Sequence, residues 1–143
     1  MKNFMDDQDF LLSTKTGEEL FHNFAEGMPI VDYHCHISPK EIWDDKRFEN
    51  ITEVWLGGDH YKWRLMRANG VDERFITGDA PAREKFQKWA ETLGRCVGNP
   101  VFEWSHLELK RYFGYEGVLN GKTAQEVWDL ANAKLAEASF TCR

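Results

Sequence analysis

Cysteine is scarce and irregularly placed. Cys35, Cys96 and Cys142 are the three in 143 residues. An odd number without regular spacing is a poor disulfide framework, and it predicts three thiols in a reducing compartment. No apolar run approaches the length of about 20 residues that spans a bilayer. The opening MKNFMDDQDFLL is acidic and has no apolar signal core, so no secretion signal and no membrane partner are expected. Nor is there a basic block to meet phosphates. With a formal charge of −6, the chain does not read as a general nucleic-acid binder. Internal repeats, low-complexity tracts and an evident linker are also missing. These absences leave a soluble, cytoplasmic globular protein.

What is present is mostly helical pattern. At 42% hydrophobic and 14% aromatic the chain can bury a core of ordinary domain size. TGEELFHNFAEG places Thr16 and Glu19 in capping-box spacing, with Leu20, Phe21 and Phe24 as an apolar stripe. SPKEIWDD repeats helix-start chemistry, with Ser38 as cap, Pro39 in the first turn and Glu41 three residues on. In DHYKWRLMRANG, Asp59 caps a helix that Gly70 ends. DAPAREKFQKWAETLGRCVG sets Phe86, Trp89, Ala90 and Leu93 on one side. EWSHLELKRYFG and TAQEVWDLANAKLAEASF complete the set, the latter opening on Thr123 and Glu126 as a second capping box.

One stretch differs. The stretch PIVDYH, residues 29–34, is short, β-branched and largely apolar and predicts a buried strand, closed by the histidine pair that ends at residue 36. A lone strand has no partner for its backbone groups, so another copy or further chain must pair it. The helical pattern also runs to SFTCR without a stop signal. Both features fit the amino-terminal portion of a longer protein.

The chain has five histidines, and two stand together at the end of that stretch. In a strand, His34 and His36 project to one side and Cys35 to the other. Two imidazoles on a rigid strand end suit a divalent metal such as zinc. The bland alternative is a pair of ordinary polar residues. Two ligands fall short of a catalytic site, which takes about three from the protein. His22, His60 and His106 qualify by type only.

A second constellation is GGDHYKWRLMR, residues 57–67. Gly57 and Gly58 make a tight turn, and His60, Tyr61, Lys62 and Arg64 follow at a helix start, where anions are favoured. These groups could receive a carboxylated or hydroxyl-rich ligand. A solvated surface helix, with Trp63, Leu65 and Met66 partly buried, is the composition-level alternative. PVFEWSHLELKRYFGYEG reads as packing through Phe102, Trp104, Leu107, Leu109, Tyr112 and Phe113.

The stretches DYHCHISPKEIWDDKRFENITEVWLGGDHYKWRLMRANGV, FEWSHLELKRYFG and AEASFTCR closely resemble the amino-terminal region of the uronate isomerase (glucuronate isomerase) family of the amidohydrolase superfamily. The resemblance covers essentially the whole chain. It implies an α/β fold, a (β/α)₈ TIM barrel like that of metal-dependent hydrolases when complete. Of this the present chain, itself mostly α, holds barrel strand one and a helical insertion. The implied division is residues 1–37 for the first helix and strand, 38–120 for the insertion and 121–143 for a helix returning to the barrel. Active sites of such barrels lie at the carboxyl ends of the strands, where His34 and His36 would sit.

The family resemblance further implies aldose–ketose isomerisation of D-glucuronate with D-fructuronate, and of D-galacturonate with D-tagaturonate. His34 and His36 would bind one divalent metal ion, zinc by expectation. His60 and Tyr61 match a pair that faces the sugar acid and carries the catalysis, with Arg64 beside them for substrate binding. The family's late aspartate ligand and substrate arginines have no counterpart here, so this segment alone is expected to be inactive. A uronate is the expected partner, and a homo-oligomer is possible. Two rivals remain: a metal-dependent hydrolase of the same superfamily, and a non-catalytic helical fragment.

Overall fold

A computed structural model describes residues 6, 8–34, 36–137 and 140–142. The chain divides into two compact units, residues 1–35 and 36–143.

In the first unit, Thr14 adopts the extended backbone of a helix cap (φ −134°, ψ 149°) and its side chain accepts from the Gly17 N–H at 3.0 Å. Helix α1 therefore runs over Lys15–Leu20 and passes into a π-helical turn, Phe21–Ala25. The expected Thr16–Glu19 box is corrected by this. Thr16 already lies inside the helix, because the hydroxyl two residues earlier reaches the orphan N–H first. The Leu20, Phe21 and Phe24 stripe is exposed rather than packed. His22 bridges Asp9 at 3.0 Å and Glu26 at 3.1 Å. Hydrogen bonding to the Asp9 and then the Glu26 carboxylate raises its pKa above the ordinary histidine value.

The strand expected over 30–36 does not form. Residues 29–34 have no regular secondary structure, and Ile30, Val31 and Tyr33 are 94%, 80% and 95% exposed. No strand occurs among the described residues. A ladder needs a second extended segment to supply donors and acceptors, and none is offered here. Cys35 lies outside the described residues.

The second unit is built of helices α2 (Pro39–Trp43), α3 (Ile51–Leu56), α4 (His60–Ala68), α5 (Ala82–Leu93), α6 (Pro100–Glu108) and α7 (Ala124–Leu135). Helix α5 packs on α3, α4 and α7. Its residues Phe86, Trp89, Ala90 and Leu93 are fully buried, as the sequence pattern predicts, with Ile51, Met66, Leu109 and Val127 around them. Helix starts follow local chemistry. Asn50 accepts from the Glu53 N–H, Asp59 from Tyr61 and Lys62, and Asn99 from Val101.

Thr123 departs from its expected role. Its hydroxyl donates to the Val118 carbonyl at 2.8 Å and accepts from the Asn120 N–H at 3.0 Å, and it makes no cap on α7. The hydroxyl serves the 118–123 loop because that loop closes back on itself beside the helix start. Helix α6 continues as a π-helical turn, Leu109–Phe113, ended by Gly114 at φ 72°. Phe102, Leu109 and Phe113 are buried as expected, but Trp104 and Tyr112 are exposed. Trp104 stands about 200° round the helix from buried Phe102 and so faces away from the core, and the π turn carries Tyr112 outward while Leu109 and Phe113 stay inside.

His106 is buried, and both ring nitrogens are engaged, by the Phe102 carbonyl at 2.6 Å and the Leu119 N–H at 2.9 Å. It is a core histidine tying α6 to the 118–119 loop. No helix among the described residues is long and apolar enough to cross a membrane.

Candidate functional site

The site begins with the turn between α3 and α4. Gly57 closes α3, its N–H donating to the Glu53 carbonyl. A Cβ at Gly57 would overlap that carbonyl oxygen, whereas one at Gly58 would meet open space. Only the first glycine is sterically required. The Trp63 indole N–H donates to the Leu56 carbonyl at 2.8 Å, satisfying an orphan acceptor at the end of α3. The two short helices are thereby fixed at a two-glycine corner, and the first turn of α4 presents His60 and Tyr61.

Three rings gather there. The His36 ring lies 5.3 Å from His60 at an interplanar angle of 19°, and 6.1 Å from Tyr61 at 13°. His60 and Tyr61 are 4.5 Å apart, tilted by 30°. The Arg64 guanidinium sits 4.7 Å from the Tyr61 ring centre, in cation–π range. All four side chains are exposed, Tyr61 at 51%. His36 and Tyr61 line a cleft of about 950 Å³. Its walls also carry Glu41, Lys46, Glu53, Asp59, Tyr112 and Cys142. Arg64 is not among the lining residues.

The cleft has a charged floor. Lys46 stands 2.9 Å from both Glu41 and Glu53. Hydrogen bonds that the Lys46 ammonium donates to Glu53 and then Glu41 raise its pKa. Partial burial pushes the Glu53 carboxyl up, but Lys46 and the Glu49 N–H more than offset this and hold it below its usual value. The cluster carries two carboxylates and one ammonium, so it repels an anionic ligand end and favours a neutral hydroxylated or cationic one. Burial, Glu41 and Asp45 together raise the Cys142 thiol, which keeps it protonated and a poor nucleophile.

Of the residues singled out by sequence, His36, His60, Tyr61 and Arg64 come together. His34 belongs to the first unit. It is exposed, and its backbone N–H donates to Asp32 Oδ1 at 3.1 Å. Among the described residues no group of three or more His, Cys, Asp and Glu side chains is arranged to hold a metal ion. Neither His34 nor His36 belongs to such a group among the described residues.

The sequence reading missed Glu41, Lys46, Glu53 and Tyr112 as cleft residues. It also placed the Lys62 charge in solvent, whereas Lys62 is buried against Asp59. The one available signal for Lys62 was its position three residues after the cap Asp59.

In chemical class this is a helical segment with imidazole and phenol groups at the edge of a polar cleft. That equipment suits moving protons on a small oxygenated molecule. The family model for glucuronate isomerase matches residues 1–143, and the chain belongs to that family. It is 69% identical over 143 residues to the uronate isomerase of Lachnospira eligens and 64% identical to that of Endomicrobium trichonymphae. Each match covers 100% of this chain and 30% of the relative, so the chain spans about a third of the length of these curated relatives. The crystal structure of uronate isomerase from Thermotoga maritima superposes with a TM-score of 0.88 at 39% identity, over 99% of this chain and 30% of that one. The glucuronate isomerase of Caulobacter crescentus gives 0.83 at 24% identity, over 97% of this chain and 31% of that one, a likeness of fold.

Proposed function

We propose that the protein carrying these residues is a cytoplasmic aldose–ketose isomerase that interconverts D-glucuronate with D-fructuronate, and D-galacturonate with D-tagaturonate. The single observation that carries this reading is the gathering of the His36, His60 and Tyr61 rings, with His36 and Tyr61 lining one cleft, in a chain of the glucuronate isomerase family. In this reading the helices described here are the insertion of a (β/α)₈ barrel, and residues 30–36 become a barrel strand once other strands flank them. His34 and His36 are two of the ligands of one divalent metal ion, zinc by donor type, with further ligands outside this segment.

The reaction is redox-neutral. The carbon next to the aldehyde gives up its carbon-bound proton and its hydroxyl proton and becomes the ketone carbon, and the aldehyde carbon and its oxygen each gain a proton and become an alcohol. A divalent ion, when bound, would stabilise the negative charge that develops on the sugar. Tyr61 holds or relays a proton at its phenol oxygen. His60, in the same helical turn, orients the sugar through its ring nitrogens. Arg64, stacked on Tyr61, belongs to the same substrate-facing group. The acidic floor around Lys46 suits the hydroxylated part of the sugar and not its carboxylate, which this reading assigns to groups beyond this segment.

The test uses the full-length protein with glucuronate in D₂O. Deuterium incorporation at the carbon beside the carbonyl and accumulation of the ketose are expected. Tyr61→Phe should lower kcat by about 10²–10⁴-fold while bound metal stays the same. His34→Asn and His36→Asn should each lower metal content by elemental analysis. Unchanged turnover in Tyr61→Phe would remove the phenol from the mechanism. Turnover of lactones or amides without uronate conversion would replace the isomerase by a hydrolase.

A further inference from the structure

We infer that Asp59 and Lys62 are positioning residues for His60 and Tyr61, at the head of a polar chain that runs back through Trp55 to Glu108. The inference rests on the isomerase reading for its chemistry but stands on its own geometry.

The Asp59 carboxylate does two things at once. Oδ1 accepts from the backbone N–H of Tyr61 at 2.9 Å and of Lys62 at 3.2 Å, and Oδ2 accepts from Lys62 Nζ at 2.6 Å. An ordinary cap does only the first. Lys62 is 8% exposed, and lysine is rarely so buried unless its charge is paired. Its ammonium lies 5.9 Å from the Trp55 ring centre. Trp55 is itself buried and donates its indole N–H to Glu108 at 2.7 Å. The first turn of α4 is thereby anchored to α3 and α6 by polar contacts under the helix. Partial burial raises the Asp59 carboxyl, and Lys62 with the two backbone donors overrides this, so it remains an anion.

His60 and Tyr61 are the two residues between the ends of this clamp. Their side chains are exposed, and no packed core holds them. The backbone turn that Asp59 and Lys62 enclose therefore fixes where the two side chains leave the helix, and the ring contacts with His36 and Arg64 complete their placement. For groups that must meet a reacting carbon, misplacement by about 1 Å costs on the order of 10²-fold in rate.

The test compares full-length wild type with Asp59→Ala, Asp59→Asn and Lys62→Met. Hydrogen exchange is followed at the Tyr61 and Lys62 amides and uronate turnover is measured on the folded fraction. Asp59→Ala should lose protection at those two amides while the amides of residues 65–68 keep theirs, and kcat should fall about 10²-fold. Asp59→Asn keeps an acceptor oxygen for the two amides but loses the ion pair to Lys62, so it should restore the protection and only part of the rate. If Asp59→Ala does not fold, Lys62→Met decides, because it retains the apolar stem and removes only the ion pair. A fall in its kcat with intact global stability supports the clamp. Wild-type exchange and turnover in Lys62→Met and Asp59→Ala would overturn it. Should the wild type convert no uronate, the isomerase reading falls, and the exchange pattern still decides whether the clamp exists.

Discussion

Residues 30–34 and residues 57–64 carry similar equipment, a tyrosine and a histidine in a chain otherwise poor in histidine, yet they stand in opposite states. The second stretch is closed by its own neighbours. Gly57 permits the corner, Asp59 caps the helix, Lys62 pairs with Asp59, and Trp63 reaches back to Leu56. The first makes no ladder and leaves Ile30, Val31 and Tyr33 in water. The difference is the range of the interactions each structure needs. A helix turn satisfies its backbone within four residues, while a strand depends wholly on another segment. A functional group on a helix start can be organised early and locally, and one on a barrel strand only when the barrel exists.

The largest expected effect attacks this contrast directly. Residues 1–143 alone should show no measurable uronate turnover: the proposed metal would need about three protein ligands, and among the described residues no group of three or more His, Cys, Asp and Glu could hold one, even though the ring group on α4 is formed. Turnover equal to that of the full-length protein would break the contrast outright. Next comes packing. Trp89→Ala in the fully buried centre of α5 should cost about 3–5 kcal/mol in urea unfolding of this chain. Ile30→Ala in the same chain should stay within about 0.5 kcal/mol. In the full-length protein Ile30→Ala should rise to about 2–5 kcal/mol if residues 30–34 become a buried strand there. An Ile30 effect that is the same in both lengths would mean the segment never enters a core.

A smaller effect separates the two glycines of the corner. Gly57→Ala forces a methyl against the Glu53 carbonyl and should cost about 1–3 kcal/mol. Gly58→Ala, facing open space, should be close to neutral. Equal costs would show that the corner is not held as described.

The smallest is a pH slope. Burial lowers the His106 pKa, opposed in part by the Phe102 carbonyl. The unfolded chain therefore takes up its proton first, near pH 6.5, and the folded form only at lower pH. The stability that neutral His106 provides is present above that value and is lost as pH falls below it. Urea midpoints between pH 7.5 and 5 should decline, and His106→Gln should flatten the decline.

Much of the helical unit was legible because its signals are short-range. Asp59 and Gly70 bound α4, Pro81 precedes α5, and the Phe86–Trp89–Leu93 spacing marks a buried face. Reading failed where two local choices competed, as at Thr14 against Thr16, or where a side chain was recruited elsewhere, as Thr123 was by the 118–123 loop. Of the candidate site, His36, His60, Tyr61 and Arg64 were readable as residue types, since imidazole, phenol and guanidinium announce their chemistry. Their convergence was not readable, nor was the membership of Lys46, Glu41 and Glu53 in the same cleft.

The sequence by itself determined where most helices start and stop, which faces they bury and which residues have the chemistry to act. It could do so because caps, glycines and apolar spacing work within one or two turns. Tertiary structure alone decided that Lys62 is buried against Asp59 and Trp55 rather than solvated, that His36 stacks on His60, and that residues 30–34 form no strand. Each of these depends on a group from another part of the chain, or on its absence, and no local pattern encodes the approach of a distant partner.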